Sequence, residues 1–196
     1  MNIIFIHGLN HRYEAYVWPW LEQFSKENGL NIIKPEFPNN LLNNEVYYEA
    51  WAKVFAQETK GIDMTDSIVV AHSLGNILAV KYFSENNLAP KAFIGLAGSL
   101  EPRQSMFPEQ LNTFAPKDNG CEKFAGLIKQ KYSLYSSADD DNYFSTKSME
   151  DFADKIGSKK VPIANAGHFR SEDTCKDVLT KIVTTDLLPK QPTKTR

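Results

Sequence analysis

The chain has 196 residues, 42% of them hydrophobic and 23% charged, which fits one globular domain with a sizeable core. A net charge of −2 leaves no basic footprint for nucleic acid or an anionic membrane, and two cysteines, Cys121 and Cys175, are too few for a disulfide framework. The opening Met-Asn-Ile-Ile-Phe-Ile-His has no basic segment and too short an apolar run for a secretory signal, and no stretch approaches a transmembrane length, so a cytoplasmic protein with free thiols is expected.

In chain order, residues 3–6 are an apolar run ending at His7-Gly8 and read as a buried parallel strand. Residues 13–28 carry Val17, Trp20, Leu21 and Phe24 at helical spacing, with Gly29 as the C-cap. A short strand over 31–34 stops at Pro35 and Pro38, and 39–44 form a polar loop. Residues 45–59 read as a helix that turns Tyr48, Trp51, Val54 and Phe55 inward. The apolar run 68–71 reads as a strand, and the helical pattern from Gly75 extends to about Asn86.

A strand over 92–96 follows. Residues 97–120 are weakly patterned and contain Pro102, Pro108 and Pro116 among Met106, Phe107, Leu111 and Phe114. The remaining expected elements are a helix over 122–129, a strand over 132–135, a helix over 148–156, a strand over 161–164 and a closing helix over 174–188. Residues 189–196 read as a short, basic, disordered tail.

Short apolar strands alternating with amphipathic helices predict a parallel sheet covered on both faces. In such a sheet the working residues stand at the carboxyl ends of the strands. His7, Ser73, the run Asp139-Asp140-Asp141 and His168 all follow predicted strands.

Ser73 lies between a strand and a helix, with Ala71 and Gly75 two residues to either side. That is the setting of a nucleophile elbow, whose tight turn needs small neighbours; the usual pattern has glycine where Ala71 stands. A serine hydroxyl needs a base within reach, and the base needs a group that holds its tautomer. His168, set in a loop by Gly167, is the best of the four histidines for the base. His72, adjacent to the serine, is expected to point inward, and His7 to shape its loop. The orienting acid is expected between Ser73 and His168 in the chain, where the aspartate run lies; the order Ser…Asp…His distinguishes α/β-hydrolases from other triad enzymes. The histidines and cysteines show no metal-ligand spacing and no glycine-rich phosphate loop is present, so no metal and no cofactor are expected.

His7-Gly8, Ala71-His72-Ser73-Leu74-Gly75, the aspartate run and Gly167-His168-Phe169 together resemble the α/β-hydrolase superfamily. The small size, the lack of strands before His-Gly, and the Trp18-Pro19 and Trp51 positions resemble one compact family within it, the small serine hydrolases of the retinoblastoma-binding protein 9 and YdeN type, over residues 2–187. The resemblance implies a three-layer α/β sandwich over residues 1–188, with a mostly parallel sheet of about six strands and helices on both faces. The family's acid motif (Asp, two variable residues, an aliphatic residue, Pro) falls on Asp141 to Ser145, with Phe144 for the aliphatic and Ser145 for the proline. It favours Asp141 and leaves Asp139 and Asp140 open.

The superfamily pattern also puts the oxyanion-hole amides on Leu74 and Leu9. The implied activity is metal-free hydrolysis of a small acyl substrate, whether ester, thioester or amide, by Ser73, Asp141 and His168. The alternative is a protein-interaction module on the same scaffold, so a protein partner stays open. Met106, Phe107, Leu111 and Phe114 either form a small flap over a shallow pocket walled by Tyr143 and Phe169, giving a preference for short acyl groups, or only close the core above the sheet.

Overall fold

The structure is a computed structural model and describes residues 1–9, 18–100 and 108–188. The elements in order are β1 (Asn2–Ile6), α1 (Trp18–Glu27), β2 (Asn31–Ile33), α2 (Tyr48–Glu58), β3 (Ser67–His72), α3 (Leu74–Asn86) and β4 (Ala92–Leu96). They continue with α4 (Pro108–Asn112), α5 (Gly120–Leu127), β5 (Gln130–Ser136), α6 (Thr146–Lys155), β6 (Lys159–Ile163) and α7 (Lys176–Lys181), which runs on as a π-helical turn over Ile182–Leu187. The six strands form one sheet in the order β2-β1-β3-β4-β5-β6, and every neighbouring pair is parallel.

Successive side chains on a strand point to opposite faces, and here both faces are covered. Ile4, Ile6, Val69, Ala71 and Phe93 enter a core completed by Trp51, Phe55, Leu78, Phe83 and Phe124 of α2, α3 and α5. Ile3, Phe5, Ile68, Val70 and Ile94 enter a second core with Leu21 and Phe24 of α1 and Leu179 of α7. Burying a side chain of this size stabilises by roughly 1.5–3 kcal/mol. The interior strands β3 and β4 are buried at every residue, which is why they read as unbroken apolar runs.

The chain runs from β1 outward to β2 and then returns to place β3 on the other side of β1. Such a reversal opens a crevice at the carboxyl ends of the two diverging strands. His7-Gly8 and Ser73 stand at that crevice.

Three expectations change. Residues 108–112 form α4, whose proline occupies the first helical position, where its missing N–H is harmless. The closing helix is not one element but α7 followed by the π-helical turn. Phe169 does not wall a pocket but is fully buried in one core, and Leu111 and Phe114 close the other rather than form a flap, with Phe114 packed on Trp51 at 5.2 Å. The start of the first helix at residue 13, His11, Pro102, Met106, Phe107 and the tail 189–196 lie outside the described residues, as does the side chain of Trp18. Among the described residues, no helix is long and apolar enough to cross a membrane.

Candidate active site

Ser73 sits between β3 and α3 with φ 51° and ψ −121°, a conformation that a non-glycine residue holds at a cost of about 1–3 kcal/mol. The surroundings enforce it. Its amide donates to the Leu96 carbonyl at 3.0 Å, and its carbonyl accepts from the Asn76 amide at 3.0 Å and from Asn76 Nδ2 at 3.1 Å. The same Nδ2 donates to the Leu96 carbonyl at 2.9 Å, so one buried side chain clamps both ends of the turn.

Gly75 has to lack a side chain, because a β-carbon there would lie 2.4 Å from the Ile6 carbonyl oxygen. Gly8 is equally confined: a β-carbon would lie 2.8 Å from Ser73 Cβ, so the chain entering Leu9 passes directly beside the serine. Ala71 occupies an ordinary strand position without a positive φ, and the backbone makes no demand for glycine there. Leu74 opens α3, so its amide has no intrahelical acceptor.

His168 and Asp141 meet. His168 Nδ1 donates to Asp141 Oδ2 at 2.7 Å, and the Tyr143 and Phe144 amides donate to Asp141 Oδ1 at 2.7 and 3.2 Å. The Asp141 side chain is fully buried and that of His168 is 10% exposed. Burial alone would raise the Asp141 carboxyl. The hydrogen bond from His168, its charge and the two amides outweigh burial and hold the carboxyl below its ordinary value. In the neutral ring, with Nδ1 bearing the proton, Nε2 has a lone pair, and it makes no hydrogen bond among the described residues. Tyr143 and Phe144 pack on the imidazole with ring centroids 4.5 and 5.8 Å away, and Arg170 donates to the Tyr143 hydroxyl.

The other two aspartates of the run do different work. Asp139 accepts from the Thr146 amide at 2.9 Å. Asp140 accepts from the Ser136 hydroxyl and, at 3.2 Å, from the Gly167 amide, which fastens the loop that carries His168. The structure therefore brings Asp141, and neither neighbour, to His168.

Ser73 and His168 share the sheet edge without a direct hydrogen bond. Among the described residues His72 links them: its Nε2 donates to the His168 carbonyl at 2.9 Å and its ring centroid lies 4.9 Å from that of His168. His72 is 5% exposed and does point inward. Adjacency to Ser73 gave its direction but could not reveal that the His168 loop would be its neighbour. Asn76 was also missed; a lone amide in the apolar stretch 74–80 was the available signal. Among the described residues, no group of three or more His, Cys, Asp or Glu side chains could hold a metal ion.

A family model described as serine hydrolase matches residues 3–178. The chain belongs to the serine hydrolase family. The structure of this serine hydrolase is similar to the ydeN gene product of B. subtilis, with a TM-score of 0.76, 20% identity, and coverage of 92% of this chain and 97% of that one. It is similar to a YdeN-like hydrolase from Pectobacterium atrosepticum, with a TM-score of 0.63 and 15% identity over 92% and 88% of the two chains. Est1E from Butyrivibrio proteoclasticus, in its ferulic acid complex, gives 0.65 and 18% over 92% and 85%. These likenesses concern the fold, which is the α/β-hydrolase fold. No curated protein sequence matches the chain.

Proposed function

We propose that this serine hydrolase cleaves small esters, thioesters or amides through an acyl-enzyme on Ser73, with residues 1–188 as the catalytic domain. The observation that carries the reading is the buried Asp141 carboxylate bonded to His168 Nδ1 at 2.7 Å, at the sheet edge where Ser73 is held in a strained elbow. In the proposed course His168 Nε2 takes the Ser73 hydroxyl proton as Oγ attacks the substrate carbonyl carbon. The Leu74 and Leu9 amides donate to the oxyanion that forms. Collapse of the adduct breaks the bond to the leaving oxygen, sulfur or nitrogen, which receives the proton from His168. Water then gives a proton to His168 and attacks the acyl carbon, and Ser73 departs with that proton restored. Asp141 fixes the tautomer and stabilises the imidazolium throughout.

Family membership supports hydrolysis, and the fold is shared with proteins described as carboxylesterases and as a thioesterase domain. Those descriptions support oxygen and sulfur esters as the first substrates to test. A fluorophosphonate probe followed by peptide mass mapping is the direct experiment, run beside p-nitrophenyl and thioester substrates on wild type and Ser73→Ala. The expected result is one adduct, on Ser73, with turnover lost in the variant. Folded protein that takes no adduct and turns over no substrate would leave the interaction-module reading in its place.

A further inference from the structure

We infer that His72 is the positioning residue that keeps His168 in register with Ser73, an inference that rests on the hydrolase reading above. The sheet cannot set that register. In the order β3-β4-β5-β6, the strand before His168 lies three spacings from the strand before Ser73, about 14 Å at about 4.8 Å per strand. The loop after β6 has to travel back over the sheet edge. It does so with positive φ at Asn165 (54°), Gly167 (51°) and Phe169 (52°).

Its other hydrogen-bonded fastenings lead to the end of β5 and the aspartate run. The Ala166 amide donates to Ser136 Oγ at 3.2 Å, and the Gly167 amide to Asp140 at 3.2 Å. Among the described hydrogen bonds, the one joining this loop to the strand of the nucleophile runs from His72 Nε2 to the His168 carbonyl.

The ring is also confined on its far side. A β-carbon on Gly8 would come within 3.2 Å of His72 Nδ1, so the imidazole fills the space between the Gly8-Leu9 segment and the His168 loop. One side chain thus spaces three segments of the site: the proposed oxyanion strand end, the nucleophile and the base. The carbonyl anchor fixes the backbone at His168, and Asp141 fixes Nδ1. Two anchors on a side chain with two torsions aim Nε2. Losing one lets Nε2 drift, and a misplacement of about 1 Å can lower a rate about 100-fold.

The test compares His72→Gln, His72→Asn and His72→Leu. A glutamine carboxamide N–H₂ reaches the place of the histidine Nε2 donor, whereas asparagine keeps a donor that falls short and leucine has none. Expected is a kcat about 10- to 100-fold lower for Asn and Leu, with KM changed less than about threefold, and Gln within about fivefold of wild type. The rate of labelling by a fluorophosphonate should follow kcat. A second readout does not depend on turnover: the low-field proton resonance of His168 Nδ1–H should persist in His72→Gln and be lost or shifted in His72→Asn.

Equal losses in Gln and Asn, or losses that track lowered melting temperatures, would overturn the inference in favour of a packing role. So would an unchanged low-field resonance in His72→Asn. If the leucine variant does not fold, the Gln and Asn pair carries the comparison. If wild type neither turns over nor labels at Ser73, the hydrolase reading falls, and the resonance comparison still decides the role of His72.

Discussion

His7 follows β1 and His168 follows β6, each beside a glycine and each at the carboxyl edge of the same sheet. Their surroundings differ in every respect that matters for chemistry. His7 is 1% exposed; its Nδ1 donates to the Gly8 carbonyl at 2.7 Å and its Nε2 accepts from the Phe37 amide at 3.1 Å. Phe37 and Trp51 pack on it at 4.9 and 5.5 Å between ring centroids. Both nitrogens are occupied by backbone, and burial pushes its pKa down to about 4 against the weaker opposing effect of the Gly8 hydrogen bond. His168 has one nitrogen on a carboxylate and the other free of hydrogen bonds among the described residues. The comparison teaches that a histidine at a strand end is available to act as a base when one nitrogen is held by an acid and the other is left open; backbone partners on both make it a rivet.

The largest expected effect separates the two directly. His168→Ala should lower kcat for a small ester by about 10² to 10⁴-fold, the usual range for a lost general base, in protein that still folds. His7→Ala should do the reverse in kind, lowering the melting temperature by several degrees as the Phe37 amide and the aromatic pair lose their partner. Parallel kinetics and thermal unfolding check both. A His7 variant of wild-type stability whose kcat falls as far as that of His168→Ala would break the contrast.

The next effect concerns the acid. Asp141→Asn should reduce kcat by about 10² to 10⁴-fold, because an amide no longer enforces the Nδ1–H tautomer. Asp139→Asn and Asp140→Asn should change it less than about tenfold, since their carboxylates accept turn hydrogen bonds that a carboxamide oxygen can also accept. Steady-state kinetics on the three variants ranks them, and a dominant loss at Asp139 or Asp140 would contradict the geometry described here.

How much of this was legible differs from element to element. The interior strands were read because burial on both faces makes them unbroken apolar runs, but their polar ends were not. Ser67, His72, Gln130 and Ser136 belong to the ladder through backbone pairing, which side-chain polarity does not report. The exposed edge strand β6 starts at Lys159 rather than at 161 for the same reason, and its lysines and Pro162 discourage pairing with another chain. Ser73 and His168 were legible because each sits in a short local motif. The choice of Asp141 within the aspartate run rested on a family resemblance, since three adjacent carboxylates differ only in where the turn points them. His72 and Asn76 were not legible as parts of the site, because the His168 carbonyl and the Leu96 carbonyl that they bind arrive from remote parts of the chain.

The smallest effect sharpens the comparison through pH. His7 has a folded pKa of about 4 against an ordinary value of 6.5. Between those values the unfolded chain binds the proton and the folded chain does not, so stability increases with pH across the window. Its contribution is complete above pH 6.5 and is lost as pH falls toward about 4; at about 1.4 kcal/mol per pH unit this amounts to at most about 3.5 kcal/mol. Asp141 adds a second loss at lower pH, because its depressed carboxyl stabilises the fold above the ordinary aspartate range and ceases to do so as pH falls through its folded value. Urea unfolding of wild type at pH 7 and pH 4.5 should therefore show a fall in midpoint that is smaller in His7→Gln, whose neutral side chain has no proton to bind. A fall as large in His7→Gln as in wild type would show that His7 is not the group that takes up the proton on unfolding.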